Sequence, residues 1–203
     1  MIFDLGGIVI VEKIKKWITH TYKVVEKDFG FEHEEISSRF SPEHKRLIQE
    51  GKLSFLDYYT TILKELGSNL DPQLLLERHM EEFRKYLSDH DDRVLAFIPL
   101  LKKKYKVYYL TNVEIETFED VQSRGILELF DGGFSSVGLG LHKPDLRIYE
   151  VVLEKLGVPA EQTVFMDDKP VNADAATAVG MHGLHYVGLD QLKKDLVALG
   201  VEF

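Results

Sequence analysis

The sequence predicts an α/β fold, a doubly wound parallel sheet with an all-helical insertion placed after its first strand. Three observations carry the prediction. From residue 88 onward, apolar runs at 107–110, 133–136, 164–166 and 183–187 alternate with helical patterns near 92–104, 114–124, 145–156, 172–179 and 190–199. That alternation is expected of parallel strands joined by crossover helices. A separate apolar run, residues 1–11, opens the chain and contains a glycine turn, Gly6-Gly7, while residues 12–87 read as almost all helix. The expected organisation is therefore a core of residues 1–11 and 88–203, with residues 12–87 as a helical cap over it.

Each element has its own signal. Residues 1–11 read as a short buried strand. Asp4 interrupts the apolar run, which is far too short to span a bilayer and lacks the basic start of a signal peptide. In the insertion, Ser54 with Asp57 resembles a capping box, and Phe55, Tyr58, Tyr59, Ile62, Leu63 and Leu66 recur on one helical face before Gly67 stops it. Asp71-Pro72 opens the next helix, an N-cap acid followed by proline at the first helical position. Leu75, His79, Phe83 and Leu87 share a face of that helix. Pro99 falls inside the 92–104 segment and should kink it.

Composition narrows the function. The chain has 203 residues, 44% of them apolar, enough for a sizeable core. Its net charge of −9, with acids dispersed along the chain, argues against nucleic acid or an anionic membrane as partner. The absence of cysteine excludes disulfides, thiolate metal sites and cysteine nucleophiles, and fits a cytoplasmic protein. Oligomeric state is left open.

Four segments each leave one residue suited to phosphate chemistry after an apolar run or in an ordered turn. Asp4 follows Ile2-Phe3; it either caps a turn or serves as a carboxylate nucleophile, with Gly6 and Gly7 allowing close backbone approach. Thr111-Asn112 closes a strand just before a helix, as an N-cap, a phosphate cradle or both. Lys143, held between Gly138/Gly140 and Pro144, is either solvated or placed to neutralise nucleophile and phosphate. Asp167-Asp168 forms either a solvated turn or a metal-binding acid pair, since adjacent carboxylates repel unless a cation is near. A hard ion such as Mg2+ suits them. The Walker lysine motif is absent, Ser135-Ser136 lacks a nucleophile elbow, and the eight histidines show no metal-ligand spacing; His142, His182 and His185 are expected at the surface.

In this combination and order the chain resembles the haloacid dehalogenase superfamily along essentially its whole length. The most specific stretch is Lys-Pro-Asp-x-x-Ile-Tyr, then Leu-Gly, then Phe-Met-Asp-Asp-x-x-x-Asn-x-x-Ala-Ala. The resemblance implies a Rossmann-like core with a four-helix cap. It implies Asp4 as nucleophile, Thr111 and Asn112 as phosphate-binding residues, Lys143 as catalytic lysine, and Asp4, the Gly6 carbonyl, Asp167 and Asp168 as the Mg2+ site. One departure matters. Family phosphatases usually carry a second aspartate two residues after the nucleophile, as general acid and base; here that position is Gly6. Relatives with an Asp-Leu-Gly variant, a sugar-1-phosphatase type among them, resemble the chain more closely.

The implied activity is a magnesium-dependent phosphomonoesterase acting through an aspartyl-phosphate on a small, sugar phosphate-like metabolite. Loss of a general acid costs about 10²–10⁴ in rate, least for aryl, acyl or anomeric leaving groups. Glu12 is the nearest candidate for a replacement acid. Two other classes stay open: a phosphate-binding pseudoenzyme or signalling module, and a metal-independent 2-haloacid dehalogenase, against which the paired acids argue.

Overall fold

The computed structural model describes residues 1–10, 17–32, 34–87 and 90–203. Five strands, β1 (Ile2–Phe3), β2 (Tyr108–Thr111), β3 (Gly133–Ser135), β4 (Val164–Asp167) and β5 (His182–His185), form one parallel sheet in the order β3-β2-β1-β4-β5. β1 lies at its centre. The chain builds outward to β3 on one side, then crosses to β4 and β5 on the other. The pairs flanking β1 therefore mark a reversal of strand order, where ligands gather at strand carboxyl ends.

Strand residues alternate between two cores, as a period of two requires. Phe3, Tyr109, Val164 and Met166 join one buried cluster, and Ile2, Leu110 and Phe165 join the other. Between β1 and β2 the chain forms α1 (Trp17–Phe29), α2 (Pro42–Gln49), α3 (Phe55–Glu65), α4 (Pro72–Leu87) and α5 (Asp92–Lys102). After β2 come α6 (Ile115–Ser123), the single turn α7 (Ser136–Leu139), α8 (Leu146–Leu156), α9 (Pro170–Ala178) and α10 (Leu189–Ala198). Val94, Phe97, Ile98, Leu101, Leu189, Leu192 and Leu196 pack with the Phe3 face, while Ile148, Tyr149, Val152, Ala175 and Ala176 cover the Ile2 face.

The helical segment leaves and rejoins the sheet at one place. After β1 the backbone closes a tight loop, with Gly7 N–H donating to the Ile10 carbonyl and Ile10 N–H to Leu5 at 2.8 Å each. Ile10 then forms an antiparallel bridge with His90. Capping follows the sequence reading. Ser54 Oγ accepts from Asp57 N–H at 2.9 Å, and Asp71 Oδ1 accepts from Gln73 N–H at 3.0 Å. Gly67, at φ +65°, lies just beyond α3. Phe55, Tyr58, Tyr59, Ile62 and Leu63 of α3 are buried, as are Leu75, His79, Phe83 and Leu87 of α4. α5 runs on through Pro99 to Lys102. The single turn α7 was not legible in the sequence, because it is too short to show a helical period. No described helix is long and apolar enough to cross a membrane.

Candidate active site

The carboxyl ends of β1, β2 and β4 converge on one buried ammonium. Lys143 Nζ lies 2.9 Å from Asp4 Oδ1, 2.6 Å from Asp167 Oδ2 and 2.9 Å from the Leu110 carbonyl. Local structure fixes each partner. Asp4 follows β1 directly, and its Oδ1 also accepts Leu5 N–H at 2.8 Å. Both described bonds to the Asp4 carboxylate therefore fall on Oδ1. Asp167 ends β4; its Oδ1 accepts Lys169 N–H and its Oδ2 accepts Asn172 Nδ2, each at 2.9 Å.

Asn112 holds the loop that carries Lys143. Its side-chain amide donates to the Lys143 carbonyl at 2.8 Å and accepts the Lys143 N–H at 2.9 Å. The Asn112 side chain is thus committed to the lysine backbone, so a phosphate contact would fall to its main chain. The Lys143-Pro144 peptide is cis. Thr111, buried at the end of β2, lines the same cavity as Asp4, Gly6, Gly7, Lys143 and Asp168.

Charge at the site is unbalanced. Among the described residues, Asp4, Asp167 and Asp168 each offer a carboxylate oxygen within 4.8 Å of the others, with one buried ammonium, Lys143, among them and the exposed Lys169 beside them. Burial first, then the Asp167 charge, push the Asp4 carboxyl up to about 6 against the pull of Lys143. Burial alone would lower the Lys143 ammonium; its two carboxylate partners hold it above the usual lysine value. The donor set is all oxygen, which suits a hard divalent cation. Such an ion would offset the excess negative charge and favour the ionised form of Asp4. The backbone approaches closely here too. A Cβ on Gly7, at φ +81°, would stand 2.5 Å from Asp168 Cγ, so only glycine lets the loop after β1 lie against Asp168.

The structure brings Asp4, Gly6, Thr111, Asn112, Lys143, Asp167 and Asp168 together. Other residues join them that sequence reasoning had not assigned to the site. Asn172 orients Asp167 from the first turn of α9, Lys169 N–H holds its other oxygen, and Glu114 lines the cavity. The spacing of Asn172, five residues after Asp167 and across a helix start, was the available signal. Of the histidines, His182 and His185 are exposed, but His142 is not purely superficial: its Nδ1 lies 3.0 Å from Glu50 Oε1, and its side chain is 23% exposed. Ser136 Oγ is buried against Val113 N–H and carbonyl, a structural role. Glu12 lies outside the described residues.

The profile of the haloacid dehalogenase-like hydrolases matches residues 1–180. The chain belongs to this family. Among relatives of this haloacid dehalogenase-like hydrolase, a sesquiterpene phosphatase of Aspergillus oryzae is 41% identical over 97 residues, 47% of this chain and 50% of that protein. The chain thus spans about half the length of that relative. A D-ribitol-5-phosphate phosphatase of Bacteroides thetaiotaomicron is 24% identical over 191 residues, 89% of this chain and 87% of that one. A solved family enzyme from Bacteroides thetaiotaomicron, in complex with magnesium and inorganic phosphate, superposes with a TM-score of 0.69 at 20% identity over 89% of both chains. At that identity the match speaks for the fold of the hydrolase.

Proposed function

We propose that this haloacid dehalogenase-like hydrolase is a magnesium-dependent phosphomonoesterase of small phosphorylated metabolites, working through a phosphoryl group carried on Asp4. One observation carries the reading: three carboxylates converge within 4.8 Å around a single buried lysine at the carboxyl ends of the central strands. Two of the similar proteins named above are phosphatases, with unlike leaving groups. They agree on the phosphate ester and not on the alcohol.

The residues take distinct parts. Asp4 attacks phosphorus through Oδ2, since its other oxygen is engaged by Leu5 N–H and Lys143. The ester P–O bond breaks, and the alcohol leaves with the bonding pair and takes its proton from water. A second water then attacks the phosphoryl group, freeing inorganic phosphate and Asp4. Thr111 Oγ1 and the Asn112 main chain hold phosphate oxygens, while Lys143, whose three N–H groups go to Asp4, Asp167 and the Leu110 carbonyl, neutralises charge beside them. Asp168, Asp4 and the Gly6 carbonyl would hold Mg2+, which when bound neutralises phosphate charge. Asp167, bonded through both oxygens, acts mainly by fixing Lys143. Residues 12–87 serve as the lid over the cavity, entering and leaving beside Ile10 and His90.

Gly6 favours leaving groups that depart without a proton, whether aryl, acyl or anomeric, as in a sugar 1-phosphate. Phosphate release from phenyl phosphate tests the reading. Activity should need Mg2+, vanish with a chelator and return on adding the metal. A sugar 1-phosphate should turn over faster than its 6-phosphate isomer. Full activity in chelator, or chloride release from a 2-haloacid without metal, would contradict it.

A further inference from the structure

We infer that the group this enzyme binds beside the phosphate is a hydrocarbon, aryl or branched alkyl. The inference narrows the phosphomonoesterase reading and rests on it. A cavity of about 300 Å³ is lined by two chemically distinct sets of side chains. One is the charged group of Asp4, Thr111, Lys143 and Asp168. The other is Phe83 and Leu87 on α4, Val113 and Val121 at α6, and Ile10 after β1. These five side chains are each 6% exposed or less. They come from both sides of the molecule, α4 from the helical insertion and α6 from the sheet domain, so a leaving group must lie between the two.

The arrangement is held in place. Arg84 Nε and Asp120 Oδ2 pair at 2.7 Å across α4 and α6, one residue along from Phe83 and from Val121. The pair bridges the two helices that carry these apolar side chains. Of the other polar side chains lining the cavity, Glu114 accepts from Thr117 Oγ1 at 2.6 Å, Lys45 is exposed on α2, and Gln49 is half-buried on the same helix.

The physical choice follows from hydration. A sugar carries a hydroxyl on nearly every carbon, and each hydroxyl pressed against hydrocarbon without a partner loses its hydration uncompensated. A phenyl or branched alkyl group instead gains in proportion to the apolar surface it buries. Phenyl is also among the leaving groups that Gly6 tolerates.

Competition against phenyl phosphate hydrolysis tests the inference. Isopentyl phosphate and glucose 6-phosphate are both primary-alcohol esters, so their leaving-group chemistry is matched. Isopentyl phosphate should inhibit with a constant about tenfold lower or better, the discrimination an apolar pocket typically supplies. Val121→Thr, which keeps volume and adds a hydroxyl, should narrow that ratio. Glucose 6-phosphate competing as well as isopentyl phosphate, or better, would overturn the inference while leaving the phosphatase reading intact. No hydrolysis of phenyl phosphate at all would overturn the phosphatase reading, and this inference with it.

Discussion

Lys143 shows how much one side chain carries here. Its ammonium is buried, reaches two carboxylates and a carbonyl, and is itself aimed by the Asn112 amide. Breaking a buried charge group by removing one partner typically costs about 3–5 kcal/mol, because the remaining charges are left in low dielectric. Lys143→Met should therefore lower metal-free stability by about that amount in urea unfolding and cut phosphate release by about 10²-fold or more. Unchanged stability would mean that the lysine does not neutralise the pair. The sequence showed Lys143 and its candidate partners by motif. It did not show that Asp167 spends both oxygens on Lys143, Asn172 and the Lys169 N–H, or that Asn112 holds a backbone. Those roles depend on which way side chains turn at a strand end, which residue type leaves open.

Elements were legible wherever a period or a cap marked them. The α3 face from Phe55 to Leu63 and the caps at Ser54 and Asp71 stand where the pattern put them, and the four later strands lie within a residue or two of their apolar runs. Strand order was not legible, because apolar runs do not say which neighbour they pair with. Close packing between elements was hidden too, and glycine carries it. A Cβ on Gly183 of β5 would stand 2.0 Å from the Ala173 carbonyl oxygen of α9, a backbone atom that cannot swing aside. Gly183→Ala should lower stability by about 1–3 kcal/mol in thermal unfolding, the usual cost of overpacking. A variant as stable as the parent would show that β5 and α9 can separate without penalty.

At the scale of the whole molecule, stability and function both depend on buried charge. His79, inside the helical segment, lies 2.6 Å from Tyr59 Oη and among aromatic rings, and burial lowers its pKa to about 3. The unfolded chain takes up a proton near pH 6.5 that the folded chain refuses. His79 therefore withdraws stability as pH falls from about 6.5 towards 3, by roughly 1.4 kcal/mol per unit. Asp4 acts in the opposite sense. Its folded pKa of about 6 stands above the unfolded value of 3.8, so its contribution is present at low pH and lost as pH rises through 6. Comparing parent with His79→Gln across pH 4–7 cancels the Asp4 effect, and the variant should lose less stability on acidification. Equal acid sensitivity would place the titration elsewhere. In the proposed function the sheet gathers its charges so that Asp4 can accept a phosphoryl group beside a divalent ion. Quenching the enzyme during turnover of phenyl phosphate with Mg2+, then mapping the trapped phosphoryl group by peptide mass spectrometry, tests it most directly. The label should sit on Asp4 and be absent both in chelator and in Asp4→Asn; sustained turnover with no label on Asp4, or by Asp4→Asn, would contradict it.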